Sequence, residues 1–73
     1  MNALEHSLTP NRELVFIYKN WRGETSQRRV EPEGIWFGET EWHSGQQWFL
    51  RGVDIDKGEI RDFALVDIQF QSR

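Results

Sequence analysis

Three arginines, Arg28, Arg51 and Arg61, are the residues best suited to chemistry in this chain. A guanidinium fork binds phosphate or carboxylate in a bidentate way, so converging arginines make a site for an anion. The competing reading pairs Arg61 with Asp54 and leaves the other two as solvated strand residues. Trp42 and His43 stand in an otherwise polar stretch, where an aromatic is more informative than in a strand. Aromatics beside arginine suit the stacking of a base or another flat ring. Tyr18, Arg28, Trp42, His43 and Arg61 are therefore the candidate ligand-binding set, with Trp21, next to Arg22, a weaker candidate for stacking. Catalysis is not signalled: Ser26 and Ser44 lie in no nucleophile motif, one loop histidine makes no triad, and no carboxylate pair stands out. Glu39, Glu41 and His43 alternate, but one histidine with two carboxylates is a weak metal signal. No metal site, cofactor or enzymatic activity is expected.

Composition narrows the classes. Seventy-three residues make one domain, and a chain this short buries only roughly 60% of its unfolded surface. It has no cysteine, which removes disulfides and thiolate zinc sites. Four Trp, five Phe and one Tyr must then supply the core. A net charge of −3 argues against sequence-blind nucleic-acid binding but leaves room for a local basic site. No membrane span or signal peptide is visible, and the expected location is the cytoplasm.

The elements that would position these residues are strands. Residues 1–13 read as a flexible arm or single helical turn, residues 14–70 as one domain and 71–73 as a tail. The run 14–18 is apolar and β-prone, and Gly23 in the following turn can take φ > 0. A second strand over 24–31 stops at Pro32, which marks an end, an edge or a bulge. A third covers 35–37, and 39–47 reads as a loop. Two apolar-rich runs, 48–55 and 60–68, flank Lys57-Gly58 as a β-hairpin. With Ile55 opposite Ile60, Asp54 faces Arg61, Gly52 faces Phe63 and Leu50 faces Leu65. Trp48, Leu50, Phe63 and Leu65 then share a core face. Phe49, Val53, Ile55 and Ile60 fall on the other face, which is too apolar to stay wet. The arm, another strand or a second subunit should cover it. Those four residues are the candidate interface of an alternative function, a protein-interaction or dimerisation module. Five short strands with glycine-marked turns suggest an all-β, strongly bent small barrel.

Trp48-Phe49-Leu50 resembles the Trp-Tyr-Leu run of the WYL domain, a small β-domain found mostly in bacterial transcription regulators. Tyr18, Gly23-Glu24, Arg28, Val30, Pro32 and Gly34-Ile35 resemble the family's upstream pattern; Asp54, Arg61, Phe63, Leu65 and Ile68 resemble its closing motif. Two positions depart from it, since the family often has arginine where Ala64 and Asp67 stand. The resemblance implies a five-stranded Sm-like β-barrel and a regulatory role in sensing nucleotide-type ligands or nucleic acid through basic residues. The function expected is a non-enzymatic regulatory or sensory module that binds a small anionic ligand, a nucleotide or single-stranded nucleic acid. A homodimer or a regulatory protein partner is the other expected association.

Overall fold

The computed structural model describes residues 12–70, so nearly all of the expected arm lies outside the described residues. Strand β1, Leu14–Lys19, buries Phe16 and Tyr18 on one face by simple alternation. Asn20 then builds the turn: its carboxamide oxygen accepts from the N–H groups of Arg22 and Glu24, both at 2.9 Å. Gly23 closes that turn at φ 83°, a conformation that glycine takes without steric cost.

Strand β2, Thr25–Thr40, is one long strand where the sequence predicted two short ones. Pro32 does not end it. The ladder with β3, His43–Asp54, steps over an irregularity between Pro32 and Gly34 and another between Gly38 and Thr40. The expected loop over 39–47 is the tip and first part of this hairpin. Bulges absorb what proline takes from a ladder and sharpen its bend. The bend is large. A straight strand of this length would span roughly 50 Å, yet Trp21 before β2 and Trp42 after it stack with ring centroids 5.7 Å apart.

Strand β4, Glu59–Ala64, pairs with β3. A single 3-10 turn, Leu65–Asp67, leads to the short β5, Ile68–Phe70, where one continuous strand was predicted. The sheet order is β4-β3-β2-β1-β5, antiparallel throughout the paired strands. The all-β, five-stranded expectation holds; closure into a barrel does not, because β4 and β5 remain unpaired edges. One donor that a closing strand would need, Ala64 N–H, instead donates to the phenol oxygen of Tyr18 at 3.0 Å.

The β3–β4 register also differs from the expected one. Leu50 faces Phe63 rather than Leu65, and Asp54 faces Glu59 rather than Arg61. The cause is the turn. Asp54 O accepts from Gly58 N–H at 2.7 Å, and its carboxylate accepts from Lys57 N–H at 3.3 Å, so the turn begins at Asp54 and leaves Ile55 out of the ladder. The displacement is even, so each side chain keeps its predicted face. The core consists of Phe16, Tyr18, Val30, Leu50 and Phe63, with Phe63 edge-on to both Phe16 and Tyr18.

Trp48 is not in that core: it is 51% exposed. It lies one residue beyond the last β3–β4 pair, Phe49 with Ala64, so β4 offers it no neighbour, and its ring contact is with Phe37 across the β2–β3 ladder. Gly52 shows why its side chain must be small. A Cβ there would sit 2.5 Å from Val30 Cγ1 and 2.6 Å from the Glu31 carbonyl oxygen, whereas one at Gly34 would meet nothing within 4 Å. Gly52→Ala is therefore expected to destabilise the fold by about 1–3 kcal/mol. Gly34→Ala should stay within about 0.5 kcal/mol of wild type; urea unfolding of both variants checks the contrast.

Candidate functional site

The doubled-over sheet brings five separate segments around one cleft of about 460 Å³. Tyr18, Asn20 and Trp21 come from the end of β1 and its turn, and Arg28 from β2. Thr40, Trp42 and His43 come from the β2–β3 tip, Lys57 from the next turn, and Ile60, Arg61 and Asp62 from β4. All five candidate ligand-binding residues, Tyr18, Arg28, Trp42, His43 and Arg61, thus border the same space. Arg51 does not join them. It lies on the other face of the β3–β4 pair, where its guanidinium contacts Asp62 at 3.1 Å.

Asp54 holds the cationic side of the cleft together. Its side chain is 2% exposed, a burial that a carboxylate sustains only with partners. Arg28 Nη1 donates to Asp54 Oδ2 at 3.3 Å, and Arg61 Nε stands 4.0 Å from the same oxygen. The contact with Arg61 is diagonal, since Gly52 is the residue directly opposite Arg61. Asp54 and Arg61 therefore meet, although not as the facing pair expected. Arg28 is 15% exposed; its guanidinium lies over the rings of Tyr18 and Phe63 at 5.7 and 5.8 Å, and its Nε donates to Ser26 Oγ at 2.9 Å. It is a wall residue with structural duties rather than a solvated strand residue. Arg61 is more open, 40% exposed, and also donates to Glu59 at 2.8 Å. Lys57 makes no ion pair among the described residues within 4.0 Å. Asp62, the one carboxylate lining the cleft, is engaged by Arg51 and by Trp36 Nε1–H at 2.8 Å. The cleft is thus cationic within an acidic chain.

The opposite wall is a hydrogen-bond chain. Tyr18 Oη accepts from Ala64 N–H and lies 3.2 Å from His43 Nε2; His43 Nδ1 lies 3.1 Å from Thr40 Oγ1, which also accepts from Trp42 N–H. Hydrogen counting selects a tautomer. The buried Tyr18 hydroxyl has its proton satisfied only by donating to Nε2, which leaves Nδ1–H to donate to Thr40; the half-buried Thr40 hydroxyl can reach water instead. Burial raises the Tyr18 phenol above its ordinary value, outweighing the Ala64 N–H bond and the nearby Arg28, which lower it. The group is accordingly held as a neutral donor. At the mouth, Trp21 and Trp42 are 61% and 59% exposed and stacked, with the Arg22 guanidinium 5.1 Å from the Trp21 ring.

The candidate interface is dismantled in part. Phe49 is fully buried: Trp36 stacks on it at 4.8 Å and His43 meets it edge-on at 5.4 Å. A neighbouring strand covers that face, so Phe49 is unavailable to a partner. Val53 is half-buried, Ile55 lies in the turn, and the exposed Ile60 lines the cleft. A second groove, of about 500 Å³ at Glu33, Gly34, Ile35, Trp36 and Arg51, contains one cation already paired and an indole already bonded, which makes it the poorer anion site. Sequence reasoning missed Lys57, Asn20 and Thr40 as cleft residues. Their signals were a lysine at a hairpin turn and two side-chain cappers, both common on any surface.

A model of the WYL domain matches residues 1–70, and the chain belongs to that family. No curated protein and no solved structure matches it. Among the described residues, no helix is long and apolar enough to cross a membrane.

Two predictions follow from the wall geometry. Arg28→Ala leaves Asp54 buried with the Lys57 N–H and, as its nearest cation, the more distant Arg61, and is expected to cost about 3–5 kcal/mol in urea unfolding. Tyr18 is the only tyrosine, so an ultraviolet titration reads it alone. Because its folded pKa is raised, its contribution to stability should be complete below the unfolded value near 10 and lost as pH rises through the folded one. Absorbance should report ionisation later than in the unfolded chain.

Proposed function

We propose, with membership of the WYL domain family as the premise, that this chain is a non-catalytic regulatory module. Its cleft would take a small anionic ligand carrying a flat ring, of nucleotide type, either free or within single-stranded nucleic acid. WYL domains are generally regulatory and bind ligands or nucleic acid, which supports the coarse assignment. The finer one is supported by a single observation: Arg28, Lys57 and Arg61 border the same cleft of about 460 Å³ as the exposed Trp42 and its stacked partner Trp21. That volume lies within the roughly 300–1,000 Å³ typical of small-ligand sites.

The division of labour follows from exposure. Lys57, and Arg61, whose close partner is the exposed Glu59 rather than the buried Asp54, are the cations more accessible to a phosphate than Arg28, which is committed to Asp54. Trp42 offers a ring face at the mouth, and Tyr18 and His43 form a polar wall whose donors and acceptors are fixed by their mutual bond. Binding is electrostatic in origin and weakens with salt.

Fluorescence titration with adenosine 5′-monophosphate and a short single-stranded oligonucleotide, at low and high salt, tests this reading. Arg61→Ala is the informative variant, because Arg28→Ala also damages the fold. It should weaken binding by about 1.5–3 kcal/mol, the worth of a hydrogen bond to a charged group. Trp42→Ala should cost about 1–3 kcal/mol. Binding that ignores salt and survives both substitutions would remove the cleft as the site.

A second reading, a protein-interaction module, is favoured by a different patch from the one expected. Ile35, Phe37 and Trp48 are 60%, 52% and 51% exposed, and they are facing or diagonal neighbours on the β2–β3 ladder. If this patch joins two copies, sedimentation at two concentrations will show a dimer that Trp48→Ser returns to monomer; a wild-type monomer at both concentrations sets the reading aside.

A further inference from the structure

β4 is an edge strand, and the direction of its free backbone groups can be read from one hydrogen bond. In an antiparallel strand the N–H and C=O of a residue point to the same side, and successive residues alternate. Ala64 N–H leaves β4 on the side away from β3, because it donates to Tyr18 Oη. Asp62 and Ile60 must then point their backbone N–H and C=O groups the same way. Both residues line the cleft, as do Tyr18 and Trp42. No other hydrogen bond occupies the Ile60 or Asp62 backbone among the described residues.

We propose that this free edge reads the ring of the ligand: the in-plane polar edge of a nucleobase bonds to the backbone of Ile60 and Asp62, while Trp42 stacks on its face. The inference rests on the nucleotide reading above and adds to it the source of base recognition. A single strand residue offers one donor and one acceptor side by side, which matches the adjacent acceptor and donor on a base edge. The same edge would also suit an extended peptide. However, β4 has only six residues, and Glu59, Arg61 and Asp62 put charge on it. Short length and charge are the features by which edges resist pairing with another strand. They leave room for a small planar ligand that needs one or two backbone contacts. The adjoining Arg61 and Lys57 place a phosphate beside that edge.

The test compares two phosphate esters on the whole chain: adenosine 5′-monophosphate and 1-naphthyl phosphate. Both carry a two-ring aromatic system and a phosphate, but only the first has a hydrogen-bonding ring edge; ribose 5-phosphate, measured alongside, reads what the nucleotide's sugar contributes and should bind no more tightly than the naphthyl ester. The wild type should bind the nucleotide about tenfold or more tightly than the naphthyl ester, because only the nucleotide can pair with the donors and acceptors of the edge. Ile60→Pro removes one outward N–H without removing a ladder bond, so it should narrow that gap severalfold by weakening the nucleotide more than the naphthyl ester. Should the variant fail to fold by circular dichroism, the wild-type comparison decides alone. Equal affinity of the wild type for both esters overturns the inference and leaves the anion-binding reading intact. So does a folded Ile60→Pro protein that keeps the gap. Binding of neither ester overturns both readings, and binding of an extended acidic peptide alone assigns the edge to strand addition instead.

Discussion

The structure depends most on the burial of the Asp54 carboxylate. A charge 2% exposed to water is tolerable only if cations and donors come to it, and this requirement fixes several elements at once. Arg28 is drawn across from β2, Arg61 from the neighbouring position on β4, and the Lys57 N–H from the following turn. The same residue therefore ends β3, starts the turn and sets the register of β4. That explains why two arginines 33 positions apart in sequence border one cleft. It also ranks them. The arginine nearer the carboxylate is held by it, and the one at 4.0 Å is more exposed and turns its close hydrogen bond to Glu59 at the surface.

Bending of β2 supplies the other half of the site. Without the irregularities at Pro32/Gly34 and Gly38/Thr40, the β2–β3 tip would lie far from β1. With them, His43 reaches Tyr18, and Trp42 reaches Trp21. Tyr18 is the joint between these parts: its ring belongs to the core, while its hydroxyl ties the β4 edge to the hairpin tip. A buried phenol held neutral suits this role, because it can accept from one side and donate to the other. The side of the sheet that a closed barrel would seal is here partly occupied by side-chain hydrogen bonds, and the cleft opens beside them.

What was legible in the sequence divides along physical lines. The all-β class, the division of β3 and β4 side chains between two faces, and the position of Gly23 follow from local pattern and backbone sterics, and they appear as expected. The grouping of Tyr18, Arg28, Trp42, His43 and Arg61 came from residue type together with the family resemblance, and the fold does bring them to one cleft. The register was not legible, because pairing energies of about 0.2–1 kcal/mol per pair were weighed without the turn that Asp54 begins. Pro32 read as an end, an edge or a bulge, and it stands at an irregularity; the expectation that the strand stops there did not hold, because β2 continues past it to Thr40. Trp48 read as core because size and hydrophobicity predict burial only where a neighbouring strand exists to provide it, and β4 ends one pair too early. The face of Phe49 was expected to be covered by the arm, another strand or a second subunit; Trp36 of β2 covers Phe49, so its place in a candidate interface does not hold.

The misreadings have separate causes: the register follows the turn at Asp54, the exposure of Trp48 follows the early end of β4, and the burial of Phe49 follows its stack with Trp36 across the β2–β3 ladder. The cleft, by contrast, depends on the bend, which brings segments far apart in sequence together. The family motif marks residues that serve the fold and residues that face the cleft without separating them: Arg28 does both, whereas Phe49 serves only the fold. Residue type cannot make that division. Exposure and partner geometry can: Arg61, Lys57 and the stacked tryptophans are the open residues of the cleft, and Arg28 and Asp54 are the frame that holds its cationic wall in place.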